Sequence, residues 1–258
     1  MFIKYIVVGA LAFAMLSGCS DNSSSNTTAS AKVDQSKSSA DLGKNAIQVG
    51  KDYHSFANPE SIKVTHLSLD LTVDFSKKVL LGTAQLDFQR VDPKATQLIL
   101  DTRDLTIEGV TSMGKVINYD LANADSFLGA ALTIEIPADA NSVVISYQTS
   151  PNASGVQWLT PEQTAGKKHP FLFTQAQAIH ARSFIPLQDS PQVRMTYEAI
   201  IRTPKELLAV MSASNEPDTE RDGVYEFSMP QAIPSYLIAL AVGDLHFKSM
   251  GERTGVYS

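Results

Sequence analysis

From Ile62 onward the chain alternates. Leu67, Leu69, Leu71, Val73 and Phe75 are separated by Ser68, Asp70, Thr72 and Asp74, one polar residue after each apolar one. Successive side chains of an extended strand point to opposite faces, so this period makes one face apolar and the other wet. A helix would scatter the same residues around its circumference. Ser76-Lys77-Lys78 supplies a polar turn, and Ala84, Leu86 and Phe88 then alternate with Gln85, Asp87 and Gln89. That order predicts an antiparallel hairpin. Further short apolar runs lie at 97–100, 105–110, 131–136, 143–147, 193–201, 207–212, 224–228 and 238–242. Separated by turn residues at this spacing, they predict a mainly β fold. No stretch holds a 3.6-residue period, and no internal repeat is visible. Thr203-Pro204-Lys205-Glu206 has the order of a helix start, with an N-cap, a proline and an acid. The run 207–210 suits a strand equally well, so at most one helical turn is expected there.

The first residues are of a different kind. Lys4 precedes an apolar run from Tyr5 to Leu16. At about 12 residues, this run is shorter than the roughly 20 that a membrane span needs. It has the order of a secretory signal. Leu16-Ser17-Gly18-Cys19 fits the bacterial lipoprotein pattern, in which the cysteine is acylated and the peptide is cut before it. Several acyl chains at about 0.8 kcal/mol per buried methylene make such an anchor effectively permanent. The alternative is a plain secretory signal with an incidental cysteine. Residues 1–18 are therefore assigned as a lipoprotein signal and Cys19 as the lipidation site. Ser20, in place of Asp, points to the outer membrane, with the chain facing the periplasm of a bacterial cell envelope. Residues 19–52 are rich in Ser, Asn, Thr and Ala, with few large apolar side chains. Such a segment cannot offset the entropy of ordering its backbone and is expected to be a flexible tether. Residues 53–258 form the expected domain.

Composition narrows the chemistry mainly by exclusion. The chain has 258 residues, 43% hydrophobic and 19% charged, with 21 Lys+Arg against 27 Asp+Glu, for a formal charge of −6. An acidic chain lacks the basic face with which a general nucleic-acid binder displaces counterions, so no nucleic-acid partner is expected. One cysteine allows neither an internal disulfide nor a cysteine-rich zinc module. The five histidines are scattered and none sits in an HExxH pair. The sequence also lacks a GxSxG elbow and a glycine-rich phosphate loop. On these grounds alone it reads as an extracytoplasmic β-rich binding module.

Two strings carry a family likeness. Gly155-Val156-Gln157-Trp158-Leu159-Thr160-Pro161-Glu162-Gln163-Thr164 is followed by HPFLFTQAQAIHARSFIPLQDSP from His169 to Pro191. Leu98-Ile99-Leu100-Asp101-Thr102-Arg103-Asp104-Leu105, Pro204-Lys205-Glu206-Leu207 with Met211-Ser212-Ala213, and Pro234-Ser235-Tyr236-Leu237-Ile238-Ala239-Leu240 extend it. Together they resemble the N-terminal domain of the M1 zinc aminopeptidases, in the leukotriene-A4 hydrolase and aminopeptidase branch, over roughly residues 53–258. The resemblance implies a saddle-like multi-sheet β-domain that packs on a thermolysin-like catalytic domain and closes one side of a peptide-substrate cleft. It also implies that Gln175, Ala176 and Gln177 form the loop that reaches the substrate. Many members carry Glu at the position of Gln177, where a carboxylate meets the peptide's α-ammonium. An amide oxygen also accepts from an ammonium, without the opposing charge. The alternative is that the two glutamines only satisfy backbone groups of a buried loop.

The remaining residues of these strings receive supporting roles. His180 and Arg182 are expected to hold the loop by hydrogen bonds or ion pairs. Asp189 is expected to be a turn acid bonding local N–H groups, and Trp158 and Phe171 to be packing anchors. The family's GxMEN segment, its HExxH with a downstream Glu, and its oxyanion-stabilising Tyr do not occur in these 258 residues. The expectation is thus a partial or truncated member, inactive alone and binding no metal itself, with zinc belonging to the intact enzyme. The other reading is a non-catalytic lipoprotein β-domain that binds peptides or a protein partner.

Overall fold

The computed structural model describes residues 50–216, 218–252 and 254–258. The signal segment, Cys19 and the tether up to residue 49 lie outside the described residues. The tether's last residues, 50–52, are bonded to the domain. Gln192 Nε2 donates to the Gly50 carbonyl at 2.7 Å and Ser190 Oγ to Asp52 at 2.6 Å.

The alternating stretch becomes β1 (Ile62–Asp74) and β2 (Val79–Arg90), paired antiparallel with Leu67 opposite Leu86 and Leu69 opposite Ala84. Asp74 holds the turn by accepting the N–H groups of Ser76 and Lys77, each at 3.0 Å. Leu67, Leu69, Leu71 and Val73 are buried, whereas Ser68 and Asp70 stay partly wet. The strands that follow are β3 (Gln97–Thr102), β4 (Thr106–Ser112), β5 (Lys115–Val116), β6 (Tyr119–Leu121), β7 (Ala130–Glu135) and β8 (Ser142–Gln148). Then come β9 (Val156–Leu159), β10 (Phe171–Thr174), β11 (Arg194–Arg202), β12 (Leu208–Met211), β13 (Val224–Pro234), β14 (Leu240–Gly243), β15 (Phe247–Gly251) and β16 (Thr254–Tyr257).

Among the described residues these strands form four sheets. The largest runs β13-β11-β1-β2-β8-β4-β5, with β1 and β11 parallel. A four-stranded sheet runs β12-β14-β10-β9, a three-stranded one β3-β7-β6, and β15 pairs with β16. The fold is mainly β in several sheets, as the alternation predicted. The run 207–210 resolves to strand β12, preceded by one turn in which the Leu207 N–H donates to the Pro204 carbonyl at 3.0 Å. One continuous core joins the inner faces: Leu67 and Tyr197 of the large sheet, Leu98 and Leu132 of the three-stranded sheet, Leu172 and Val242 of the four-stranded sheet.

Residues 181–190 all lie buried between these layers although they form no strand. Buried backbone needs partners, and both sides supply them. Asp101 of β3 gives its N–H to the Leu187 carbonyl at 2.8 Å. On the large sheet, Gln188 accepts the Val64 N–H at 3.0 Å and donates to the Ile62 carbonyl at 2.8 Å. Tyr147 donates its hydroxyl to the Phe184 carbonyl at 2.9 Å. This internal segment carries the end of the candidate loop into the core.

Candidate functional site

The loop leaves β10 and is fixed at both ends by backbone bonds. The Gln175 N–H reaches the Gly155 carbonyl and the His180 N–H the Ala176 carbonyl, each at 2.8 Å. Ala176 is buried at 3% exposure, while Gln175 and Gln177 are exposed. The three residues expected to act together thus divide. Ala176 plugs the loop into the core, and the two glutamines present their carboxamides outward, with Gln175 Nε2 3.4 Å from Gln177 Oε1. That exposure opposes the reading in which both amides only serve buried backbone. The Gln177–Ala178 peptide bond is cis. Carboxamides donate and accept hydrogen bonds but do not ionise, so these side chains can seat a polar group without transferring a proton.

Beside the loop runs a groove of about 840 Å³, whose walls include His54, Phe127, Gln177, Ile179, Pro191 and Tyr236. Its lining is largely apolar, and Asp52 stands at its edge. Partial burial opposes ionisation of Asp52, but hydrogen bonds from Ser190 and His54 outweigh it and hold the carboxyl below the usual carboxylate range.

Behind the loop lies a buried ionic cluster. The Arg182 side chain is fully buried, with Nε 3.0 Å from Asp189 Oδ2 and Nη1 3.6 Å from Asp101 Oδ1. Its remaining donors reach the Leu128 and His54 carbonyls at 2.8 Å and the Asp189 carbonyl at 3.1 Å. Asp101 also accepts from Ser55 Oγ at 2.6 Å, from the Phe56 N–H at 2.8 Å and from the Asp189 N–H at 2.9 Å. Burial pushes the Asp101 carboxyl above its usual range, against the pull of Arg182 and these hydrogen bonds. Asp189, expected to be a turn acid bonding local N–H groups, accepts only the Arg182 N–H, at 3.3 Å, from the backbone and serves mainly side chains. At 1% exposure it pairs with Arg182 and accepts Ser235 Oγ at 2.6 Å, because the segment carrying it is internal.

His180 does hold the loop's end. Its Nδ1 lies 2.9 Å from Ser154 Oγ and 3.2 Å from Arg103 Nη1. An arginine only donates, so Nδ1 accepts and the imidazole proton sits on Nε2. Burial, then the Arg103 charge, keep His180 below the usual histidine value. Arg103 also donates to the Phe127 carbonyl, tying His180 to the groove wall. Trp158 packs edge-on against Phe75 at 5.5 Å, and Phe171 stacks on Phe173 at 5.7 Å, so both anchor packing. Among the described residues, no group of three or more His, Cys, Asp or Glu is placed to hold a metal ion.

A β-domain built from several sheets in this way has known counterparts. Residues 52–237 match the Peptidase M1 N-terminal domain, and the chain belongs to that family. It is 42% identical over 218 residues to leukotriene A-4 hydrolase of Xenopus laevis, covering 80% of this chain and 36% of that protein. It is 37% identical to leucine aminopeptidase 2 of Yarrowia lipolytica, covering 81% of this chain and 32% of that protein. The chain spans about a third of the length of these curated relatives. Among solved structures, yeast LTA4 hydrolase in complex with bestatin superposes with a TM-score of 0.76 at 32% identity, over 84% of this chain and 34% of that one. An M1 zinc metallopeptidase of Deinococcus radiodurans shares the fold with a TM-score of 0.59 at 17% identity, over 78% and 48%.

Proposed function

We propose that this domain forms one wall of the substrate cleft in a zinc-dependent aminopeptidase, which removes N-terminal residues from peptides. In this reading, Gln175 and Gln177 seat the peptide's amino end while Ala176 fixes the loop. The observation that carries it is the pair of exposed carboxamides beside an apolar groove, in a chain of the M1 N-terminal family. Zinc would be held by a catalytic domain packed against this one. Such an ion polarises the scissile carbonyl and makes a bound water nucleophilic near neutral pH. The Gln177 oxygen would accept from the α-ammonium, and the apolar groove walls would exclude water from the side chains that follow. The lipoprotein signal of residues 1–18 and acylation at Cys19 would anchor the protein to the periplasmic side of the envelope, with the outer membrane as the proposed site.

The test uses the native product from the bacterial membrane fraction. Gln177→Ala is expected to raise KM for free-amine peptides about tenfold, the loss of roughly one charge-assisted hydrogen bond. Gln177→Glu should lower KM, because a carboxylate adds an opposing charge to the hydrogen bond that the ammonium already makes. Unchanged KM in both variants would remove Gln177 from the substrate site. A lipid-bearing band slightly below the 27.9 kDa of this chain, with no larger species and no peptidase activity, would favour the second reading, a partner-binding lipoprotein domain. The exposed Tyr53 and Phe127, at 81% and 61%, are the observation on its side, since a partner would cover them.

A further inference from the structure

The side chains along the groove come from separate parts of the chain, and the buried cluster touches every one of those parts. The Arg182 guanidinium holds the His54 carbonyl and the Leu128 carbonyl, each at 2.8 Å, which fixes the backbone carrying His54 and Phe127. Through Asp189 it holds Ser235, the neighbour of Tyr236, and the segment leading to Pro191. Through Asp101, the Ser55 hydroxyl and the Phe56 N–H join the same cluster. Arg182 itself lies five positions after Gln177 and closes the loop's exit. We infer that Arg182 is a positioning residue for Gln177, setting where its carboxamide stands relative to the other groove walls. This rests on the reading of Gln177 as a substrate contact.

The chemistry requires the fork of an arginine. Its planar donors point in fixed directions to carboxylate and carbonyl acceptors on opposite sides, whereas a lysine ammonium is a single point on a flexible stem. Arg182→Lys keeps a positive charge against Asp101 and Asp189 but cannot also hold both the His54 and Leu128 carbonyls. The walls should then come loose from one another while the sheets remain.

The native product of the membrane fraction, held in detergent, tests this with Arg182→Lys and Arg182→Met. In the lysine variant, amides of Phe56, Gly129 and Asp189 should exchange with solvent about tenfold faster, while those of Leu69, Leu86 and Ile145 should stay unchanged. The side-chain amide resonances of Gln177 should move toward those of a free glutamine. The preference for tetra-alanine with a free amine over its N-acetylated form should fall. A Gln177 resonance and loop protection left as in the parent chain would overturn the inference. So would an equal loss of protection in sheets and loops, which marks a purely structural arginine. If the methionine variant fails to fold, the lysine variant still decides. If the parent chain itself binds the free and acetylated peptides alike, the substrate-contact reading fails, and the exchange pattern still reports on positioning.

Discussion

Arg182 joins two buried carboxylates and three backbone carbonyls at one side chain. Removing one partner of a buried charge cluster leaves the others uncompensated, so Arg182→Met should cost about 3–5 kcal/mol, read as a lower urea midpoint. His180 sets a pH dependence. Its value in the fold lies below the usual 6.5, from burial and the Arg103 charge, with Arg182 also opposing protonation and Asp189 favouring it. The unfolded chain therefore takes up a proton that the fold resists. This contribution to stability is complete above the unfolded value and declines as pH falls through 6.5 toward the depressed one. His180→Gln should flatten that part of the curve, measured as urea midpoints between pH 7.5 and 5.5, because a carboxamide does not titrate there.

At the scale of elements, the β1–β2 hairpin depends on one glycine. Gly82 has φ of +148°, and a Cβ there would stand 2.0 Å from the Asp70 carbonyl oxygen on the neighbouring strand. Gly82→Ala should destabilise the domain by about 3 kcal/mol, at the upper end for a forbidden backbone conformation. A midpoint equal to the parent's would show that the strands shift apart at little cost. The hairpin itself was legible in the sequence because its period of two is long and unbroken. Strands β9 and β10 were not, since four residues with Gln157 or Phe173 exposed hold too little alternation to stand out from a loop. Their strings were legible only as a family likeness. Strand β12 shows the complementary limit, because Leu208–Met211 carries no period and its pairing with β14 decided between strand and helix.

For the molecule as a whole, the groove is the surface that asks for a partner. Phe127 in its wall lies exposed, and the relatives that match are about three times as long as this chain. In the aminopeptidase reading, an antibody to residues 53–258 should detect a native membrane product well over twice 27.9 kDa, containing zinc. Chelation should abolish its peptidase activity while leaving the β-domain's own stability unchanged, because the described residues offer no metal cluster. By itself the sequence determined the mainly β character, the wet and dry faces of the first hairpin, and the family to which the chain belongs. Those are written in local order, where the period of a strand or a string of residues needs no distant partner. Only the tertiary structure decided that residues 181–190 run through the interior. It also decided that Asp189 and Asp101, 88 positions apart, share one arginine, and that Gln175 and Gln177 face out while Ala176 faces in. A charged segment is buried only when distant chain supplies its counter-charges and hydrogen bonds, and nothing in its immediate neighbours records that supply.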